Sequence, residues 1–258
     1  MKEETVTINN LKINYKTTGS GPVILILHGW PSSSDSWIRV IESLSRIGYQ
    51  VICPDLPGFG KSDTPLQSWN VDSYMEWLMG FVNALKLDKL ILLGHSFGGR
   101  VAVKFSAKYG DKLKCLILCD PAGIRPKLDT KSTALYKMVQ VGNSVFAFGF
   151  LLKVKDVLRN ILYFFIKNRD YVKAKGVMKA TMTKVVNEDL TSYLPDIKNK
   201  TLLVWGKKDK SVPIEYAYQF KDKIKGSKLV IIPGVGHSPH FRASERLTEI
   251  IIMFLNEL

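Results

Sequence analysis

Short apolar runs alternate along this chain with stretches whose apolar residues recur at helical spacing. A run that is apolar throughout fits a strand covered on both faces, and the amphipathic stretches between such runs fit the helices that cover them. The alternation therefore predicts an α/β fold with a largely parallel sheet. Val6–Ile8 and Leu11–Tyr15 read as an opening pair of strands, and Val23–Leu27 as a buried strand ending at His28-Gly29-Trp30. Ser36–Ile47 reads as a helix stopped by Gly48. Gln50–Cys53 is the next strand, followed by the loop Pro54-Asp55-Leu56-Pro57-Gly58-Phe59-Gly60. Within Asp72–Lys86, the residues Tyr74, Leu78, Phe81, Val82 and Leu85 recur at helical spacing. Leu90–Leu93 reads as a fully buried strand, Phe97–Tyr109 as a helix with Gly110 at its end, and Leu113–Leu118 as another buried strand.

The alternation breaks over residues 123–193, which are helix-like, apolar and rich in Lys and Arg. It resumes with a strand at Thr201–Trp205, a helix at Ile214–Lys223, a strand at Leu229–Ile232 and a helix at Ser244–Leu255. In that last helix Leu247, Ile250, Ile251, Phe254 and Leu255 share one face. The pattern predicts one sheet domain, built from residues 1–122 and 194–258 and interrupted by a helical cap at 123–193. Residues 146–166 of the cap are dense in Phe, Leu and Ile, interleaved with Lys153, Lys155 and Arg159. Burial against the core, lining an apolar pocket, is the favoured use of this segment; an interfacial surface for lipid is the alternative.

Composition narrows the picture in three ways. The net charge of +14 fits an anionic partner, but the lysines are scattered and form no arginine-rich block, so a lysine-rich solvated surface is the reading taken and nucleic acid is not expected. No apolar stretch reaches the ~18 residues of a membrane span, and Met1-Lys2-Glu3-Glu4-Thr5 has no apolar signal region, so a cytoplasmic protein is expected. Cys53, Cys115 and Cys119 are an odd count that fits free thiols. Cys115 and Cys119 fall on one predicted strand, with Cα atoms ~13 Å apart, beyond the ~7 Å limit of a disulfide.

The chemistry is carried by Gly94-His95-Ser96-Phe97-Gly98-Gly99, lying between a buried strand and a helix. This G-x-S-x-G arrangement is a nucleophile elbow: a sharp strained turn projects a hydroxyl to where base and substrate both reach it. The hydroxyl needs a base. His28, His95, His237 and His240 are the histidines. His95 flanks Ser96 and points its side chain away from it. His237 follows the last strand in Pro233-Gly234-Val235-Gly236-His237, at the strand end where parallel sheets bind ligands. His237 is therefore the expected base, with His240 its nearest rival. The base needs a carboxylate. Asp209, in Trp205-Gly206-Lys207-Lys208-Asp209, is expected to supply it, and Asp120 beside Pro121 is the rival, more plausible as a turn residue. The backbone N–H groups of Trp30 and Phe97 are the expected oxyanion donors. Asp55 to Ser62 ends like a phosphate-binding loop but begins with Asp and carries a proline, which argues against nucleotide binding. No Cys/His cluster has zinc spacing, and neither cofactor nor metal is required by this chemistry.

Taken together, His28-Gly29-Trp30, Asp55 to Asp63, the Ser96 elbow, Gly206-Lys207-Lys208-Asp209 with Val212-Pro213, and Gly236-His237 resemble the alpha/beta-hydrolase superfamily, in its order and over nearly the whole chain. The resemblance implies an eight-stranded, mostly parallel sheet flanked by helices, with a cap inserted after the sixth strand that lines the substrate pocket. Haloalkane dehalogenases and epoxide hydrolases of that superfamily use aspartate at the elbow, so Ser96 points instead to carboxylesterases or to the carbon–carbon bond hydrolases of aromatic-ring degradation. The latter commonly have asparagine before the nucleophile and tryptophan after the histidine, where this chain has His95 and Ser238. The expectation is a serine esterase acting on a small or medium, largely apolar acyl substrate. A carbon–carbon hydrolase is its alternative, and a non-catalytic small-molecule-binding protein of the same fold is the alternative from another class.

Overall fold

The structure, a computed structural model, describes residues 1–125 and 176–258. Eight strands form one sheet in the order β1-β2-β4-β3-β5-β6-β7-β8. They are β1 (Lys2–Ile8), β2 (Leu11–Thr18), β3 (Val23–Leu27), β4 (Gln50–Pro54), β5 (Leu90–His95), β6 (Leu113–Cys119), β7 (Thr201–Gly206) and β8 (Lys228–Ile232). The β1–β2 and β2–β4 pairs are antiparallel and all others are parallel.

The helices are α1 (Ile38–Arg46), α2 (Val71–Ala84), α3 (Phe97–Tyr109), α4 (Gly176–Asn187), α5 (Ile214–Lys223), the single turn α6 (Pro239–Arg242) and α7 (Ser244–Leu255). One apolar cluster joins a face of the sheet to α2, α3 and α5 through Tyr74, Phe81, Phe105 and Phe220. A second joins the other face to α1 and α7 through Trp37, Leu44, Ile251 and Phe254. Burial on both faces explains the unbroken apolar runs of β5 and β7, in which every residue is buried. The three cysteines are free and buried in this interior.

One helix start differs from the sequence reading. The helix expected over Ser36–Ile47 opens as a 3-10 turn at Ser34–Trp37, because Ser33 caps the Asp35 amide. α3 ends at Gly110 as expected; Gly110 keeps right-handed helical angles and leads into a 3-10 turn over Gly110–Lys112. Most of the expected cap, including residues 146–166, lies outside the described residues. Its return is described: α4, then a 3-10 segment at Thr191–Asp196, with the Leu190 N–H donating to the Gly123 carbonyl at 2.8 Å. Among the described residues no helix is long and apolar enough to cross a membrane.

The register brings the site together. Leu27 of β3 is level with Gly94 of β5, His95 with Cys119 of β6, and Cys119 with Val204 of β7; Gly206 is level with Ile232 of β8. The segments leaving these strands therefore emerge side by side at one edge of the sheet. That edge includes the point where the chain, having run from β3 to β4 on one side, crosses to β5 on the other.

Candidate active site

The elbow is built by close packing. Ser96 takes φ 50° and ψ −110° between β5 and α3, a left-handed conformation that a non-glycine residue adopts only under tertiary constraint. The constraint is visible: its N–H donates to the Cys119 carbonyl at 3.2 Å, and its own carbonyl accepts from the N–H groups of Arg100 at 3.2 Å and Ala122 at 3.1 Å. Across the turn, Gly98 lets α3 lie against the backbone at the end of β3; a Cβ there would come 2.2 Å from the Leu27 oxygen.

Three expected residues meet in one hydrogen-bonded chain. The Ser96 Oγ hydroxyl donates to His237 Nε2 at 2.8 Å. His237 Nδ1–H donates to Asp209 Oδ2 at 2.7 Å. Asp209 Oδ1 accepts from the N–H groups of Ser211 at 2.7 Å and Val212 at 2.9 Å, so both carboxylate oxygens are engaged. The Asp209 side chain is wholly buried, whereas a quarter of the His237 side chain remains exposed. A carboxylate held in this way fixes the imidazole tautomer with its lone pair toward the hydroxyl.

The loop after β3 lies directly against the elbow. A Cβ on Gly29 would come 3.2 Å from Ser96 Cβ and 2.7 Å from His95 Nδ1, so only glycine admits this approach. The next residue is Trp30, and Phe97 opens α3, where the first amides have no intrahelical acceptor. Both N–H groups thus belong to segments that abut Ser96. The Trp30 ring stands edge-on to Phe59 at 4.6 Å and to Phe97 at 5.5 Å, and Phe97 is edge-on to Tyr74 at 4.9 Å, making an aromatic wall beside Ser96.

The other histidines hold the frame. His28 is fully buried; its Nδ1–H donates to the Gly29 carbonyl at 2.9 Å and its Nε2 accepts from the Leu56 N–H at 2.9 Å. Burial lowers its pKa to about 4, which keeps it neutral. His240, the rival base, stacks on Trp37 with ring centroids 4.4 Å apart, and burial lowers its pKa to about 3. His95 turns away from Ser96 and donates Nε2–H to the backbone carbonyl of His237 at 2.7 Å. Burial, with His240 and His237 close by, pushes its pKa well below the ordinary histidine value. Asp55, the start of the phosphate-loop look-alike, accepts from the N–H groups of Ser34 at 2.7 Å and Lys61 at 2.9 Å, and from Asn14 Nδ2 at 3.0 Å, so its role is to shape the loop.

Two residues have partners that no local sequence pattern shows. His95 has a partner 142 positions away, which no local pattern reveals. Asp120 is more than a turn residue. It is fully buried at φ 42°, accepts the Gly206 N–H on Oδ1 at 2.8 Å, and its carboxyl lies within reach of that of Asp209. Among the described residues no group of His, Cys, Asp and Glu could hold a metal ion.

Comparison with known proteins agrees with the architecture. The chain is 27% identical over 275 residues to a 2-hydroxy-6-oxo-6-phenylhexa-2,4-dienoate hydrolase of Burkholderia cepacia, covering 97% of this chain and 95% of that protein. It is 29% identical over 269 residues to a 2-hydroxy-6-oxo-6-(2'-aminophenyl)hexa-2,4-dienoic acid hydrolase of Metapseudomonas resinovorans, covering 98% and 91%. Among solved structures, a thermophilic esterase from Thermogutta terrifontis superposes with a TM-score of 0.75 at 28% identity, covering 100% of this chain and 99% of that one. Residues 22–149 and 165–244 match the family profile of the alpha/beta hydrolase fold, and the chain belongs to that family of hydrolases.

Proposed function

We propose that this protein is a serine hydrolase that cleaves a carboxylic ester of a small or medium, largely apolar acyl substrate through an acyl-enzyme. The observation that carries the reading is the chain from Ser96 Oγ through His237 to Asp209, with both links under 3 Å. In this reading His237 takes the Ser96 proton as the oxygen attacks the acyl carbon. The N–H groups of Trp30 and Phe97 stabilise the oxyanion. His237 then protonates the leaving alcohol and activates the water that releases the acid. The aromatic wall of Trp30, Phe59 and Phe97 supports an apolar substrate. No metal or cofactor enters the scheme, and a small molecule is the only partner it needs.

Hydrolysis of p-nitrophenyl acetate, butyrate, octanoate and palmitate by the wild type and Ser96→Ala tests the reading. Turnover by wild type and its near-complete loss in folded Ser96→Ala are expected; equal turnover by both proteins refutes the role of Ser96. A second reading, carbon–carbon bond hydrolysis of a diketone-type ring-cleavage product, is favoured by the two relatives named for dienoate hydrolysis. His95 and Ser238 count against it. Ser96-dependent turnover of such a dienoate with no ester turnover would decide for it.

A further inference from the structure

We propose that Asp120 is a positioning residue that holds a proton between its own carboxyl and that of Asp209, so the acid facing His237 is half of a singly charged carboxyl pair. The inference rests on the Ser96–His237–Asp209 reading for its catalytic meaning, but not for the existence of the proton.

The geometry demands a proton. Asp120 is fully buried, and the Asp209 side chain has no exposed surface. Asp120 accepts the Gly206 N–H on Oδ1 and has only the distant Cys119 thiol on Oδ2, whereas Asp209 accepts from Ser211 and Val212 on Oδ1 and from His237 on Oδ2. The two carboxyls lie within hydrogen-bonding reach of each other, and both are acceptors when ionised. Like charges at that separation do not both persist in a buried site, and one proton shared between them resolves the conflict. No Lys or Arg forms an ion pair with either carboxyl among the described residues. The remaining group on Asp120 is the thiol of Cys119, 3.9 Å from Oδ2, which burial keeps protonated.

The division of labour follows from the partners. Asp209 already has His237 on Oδ2 and two amides on Oδ1, so it has more donors to hold a negative charge than Asp120 has. Asp120 has one amide on Oδ1, which leaves Oδ2 to carry the proton. Burial first, and the Asp209 charge second, raise its pKa to about 8. The proton does not move during the reaction. It keeps Asp209 in place with a single charge spread over the pair, so His237 faces one carboxylate rather than two repelling ones. Ionisation of Asp120 would set two anions against each other and drive Asp209 off the imidazole.

Two measurements on the intact protein test this. Carboxyl carbon NMR of protein labelled at aspartate is expected to show one Asp carboxyl protonated at neutral pH and titrating near pH 8, a signal absent from Asp120→Asn. Every Asp carboxyl ionising in the ordinary acidic range overturns the proposal. If Asp120→Asn fails to fold, the wild-type titration alone decides. The second readout is kcat/KM for a p-nitrophenyl ester across pH. Wild type is expected to lose activity as Asp120 ionises, whereas Asp120→Asn, whose amide donates but does not ionise, is expected to lack that alkaline limb. Asp120→Ala is expected to lower kcat ~10-fold with KM little changed. Identical pH profiles for wild type and Asp120→Asn refute the positioning role. If no ester is turned over and no fluorophosphonate labels Ser96, the functional reading fails while the NMR titration still decides the shared proton.

Discussion

Adding one methyl group at Gly98 tests how the elbow is seated. Ideal geometry places the new Cβ 2.2 Å from the Leu27 oxygen, 2.6 Å from the Leu27 carbonyl carbon and 2.7 Å from the His28 oxygen. All three are backbone atoms at the end of β3, so no side chain can rotate out of the way. An ordinary carbon–oxygen contact is about 3.3 Å, so the first turn of α3 and the loop after β3 must part by roughly 1 Å. Those two segments carry the proposed oxyanion donors, Phe97 and Trp30. Such donors act at 2.7–3.1 Å from the oxyanion, and losing one costs about 3 kcal/mol of barrier, or ~100-fold in kcat. Overpacking costs ~1–3 kcal/mol of stability, and the helix propensity of alanine returns up to ~1 kcal/mol. Gly98→Ala is therefore expected to lower kcat ~100-fold while Tm falls by only a few degrees. Gly236→Ala is the control: its Cβ would meet nothing nearer than the Lys208 oxygen at 3.6 Å, and kcat is expected to stay within a few-fold of wild type. A Gly98→Ala protein with wild-type kcat and Tm would refute the claim that this approach of backbone to backbone seats the site.

Other expectations concern the histidines behind the nucleophile. His95→Ala removes the bond to the His237 carbonyl and is expected to lower kcat ~10-fold or more with KM little changed, with partial recovery in His95→Gln, which keeps a donor; equal kcat in His95→Ala and wild type would show that the bond does not position the base. His28, His95 and His240 all have pKa values lowered by burial, so the unfolded chain binds protons on them more readily. Stability from these groups is present above the ordinary histidine pKa of 6.5 and is lost as pH falls toward about 4. His240→Phe keeps the stack on Trp37 and removes one titrating group, and chemical denaturation from neutral to acidic pH is expected to show a slope shallower by up to about 1.4 kcal/mol per pH unit; an unchanged slope would mean that His240 does not titrate on unfolding.

The parts legible in the sequence were those set by local pattern. β3, α3, α5 and α7 fall on the predicted residues because unbroken apolar runs and helical periodicity are properties of neighbours in the chain. The Ser96, Asp209 and His237 positions were legible because each follows a strand, and a parallel sheet delivers all such segments to one edge. Element ends were less so: α2 stops at Ala84 rather than reaching Lys86, because Lys86 turns left-handed at φ 53°. What local pattern does not carry is the side-chain partnership across strands. Asp120 read as a turn residue because nothing near it in the chain shows that the neighbouring β7 will place the Gly206 amide and the Asp209 carboxyl against it.

Those partnerships share a geometry that bears on how the site keeps its shape. Segments leaving the sheet edge are fastened to one another as well as to their own strands. The loop after β3 is tied through His28 to Leu56 after β4, the loop after β8 through the His237 carbonyl to His95 at the end of β5, and the turn after β6 through Asp120 to Gly206 at the end of β7. A loop held only by its own strand can tilt about its exit point, whereas a cross-tie between exits removes that freedom. The ties use buried, neutral or proton-sharing groups, so they add no net charge beside His237 that would compete with Asp209. In the proposed mechanism, preorganisation of this kind lets the Ser96 hydroxyl, the His237 imidazole and the proposed oxyanion donors meet a developing charge without rearranging. Truncating a tie is therefore expected to lower kcat more than KM, because the ties fix the position of the reacting groups and touch no substrate.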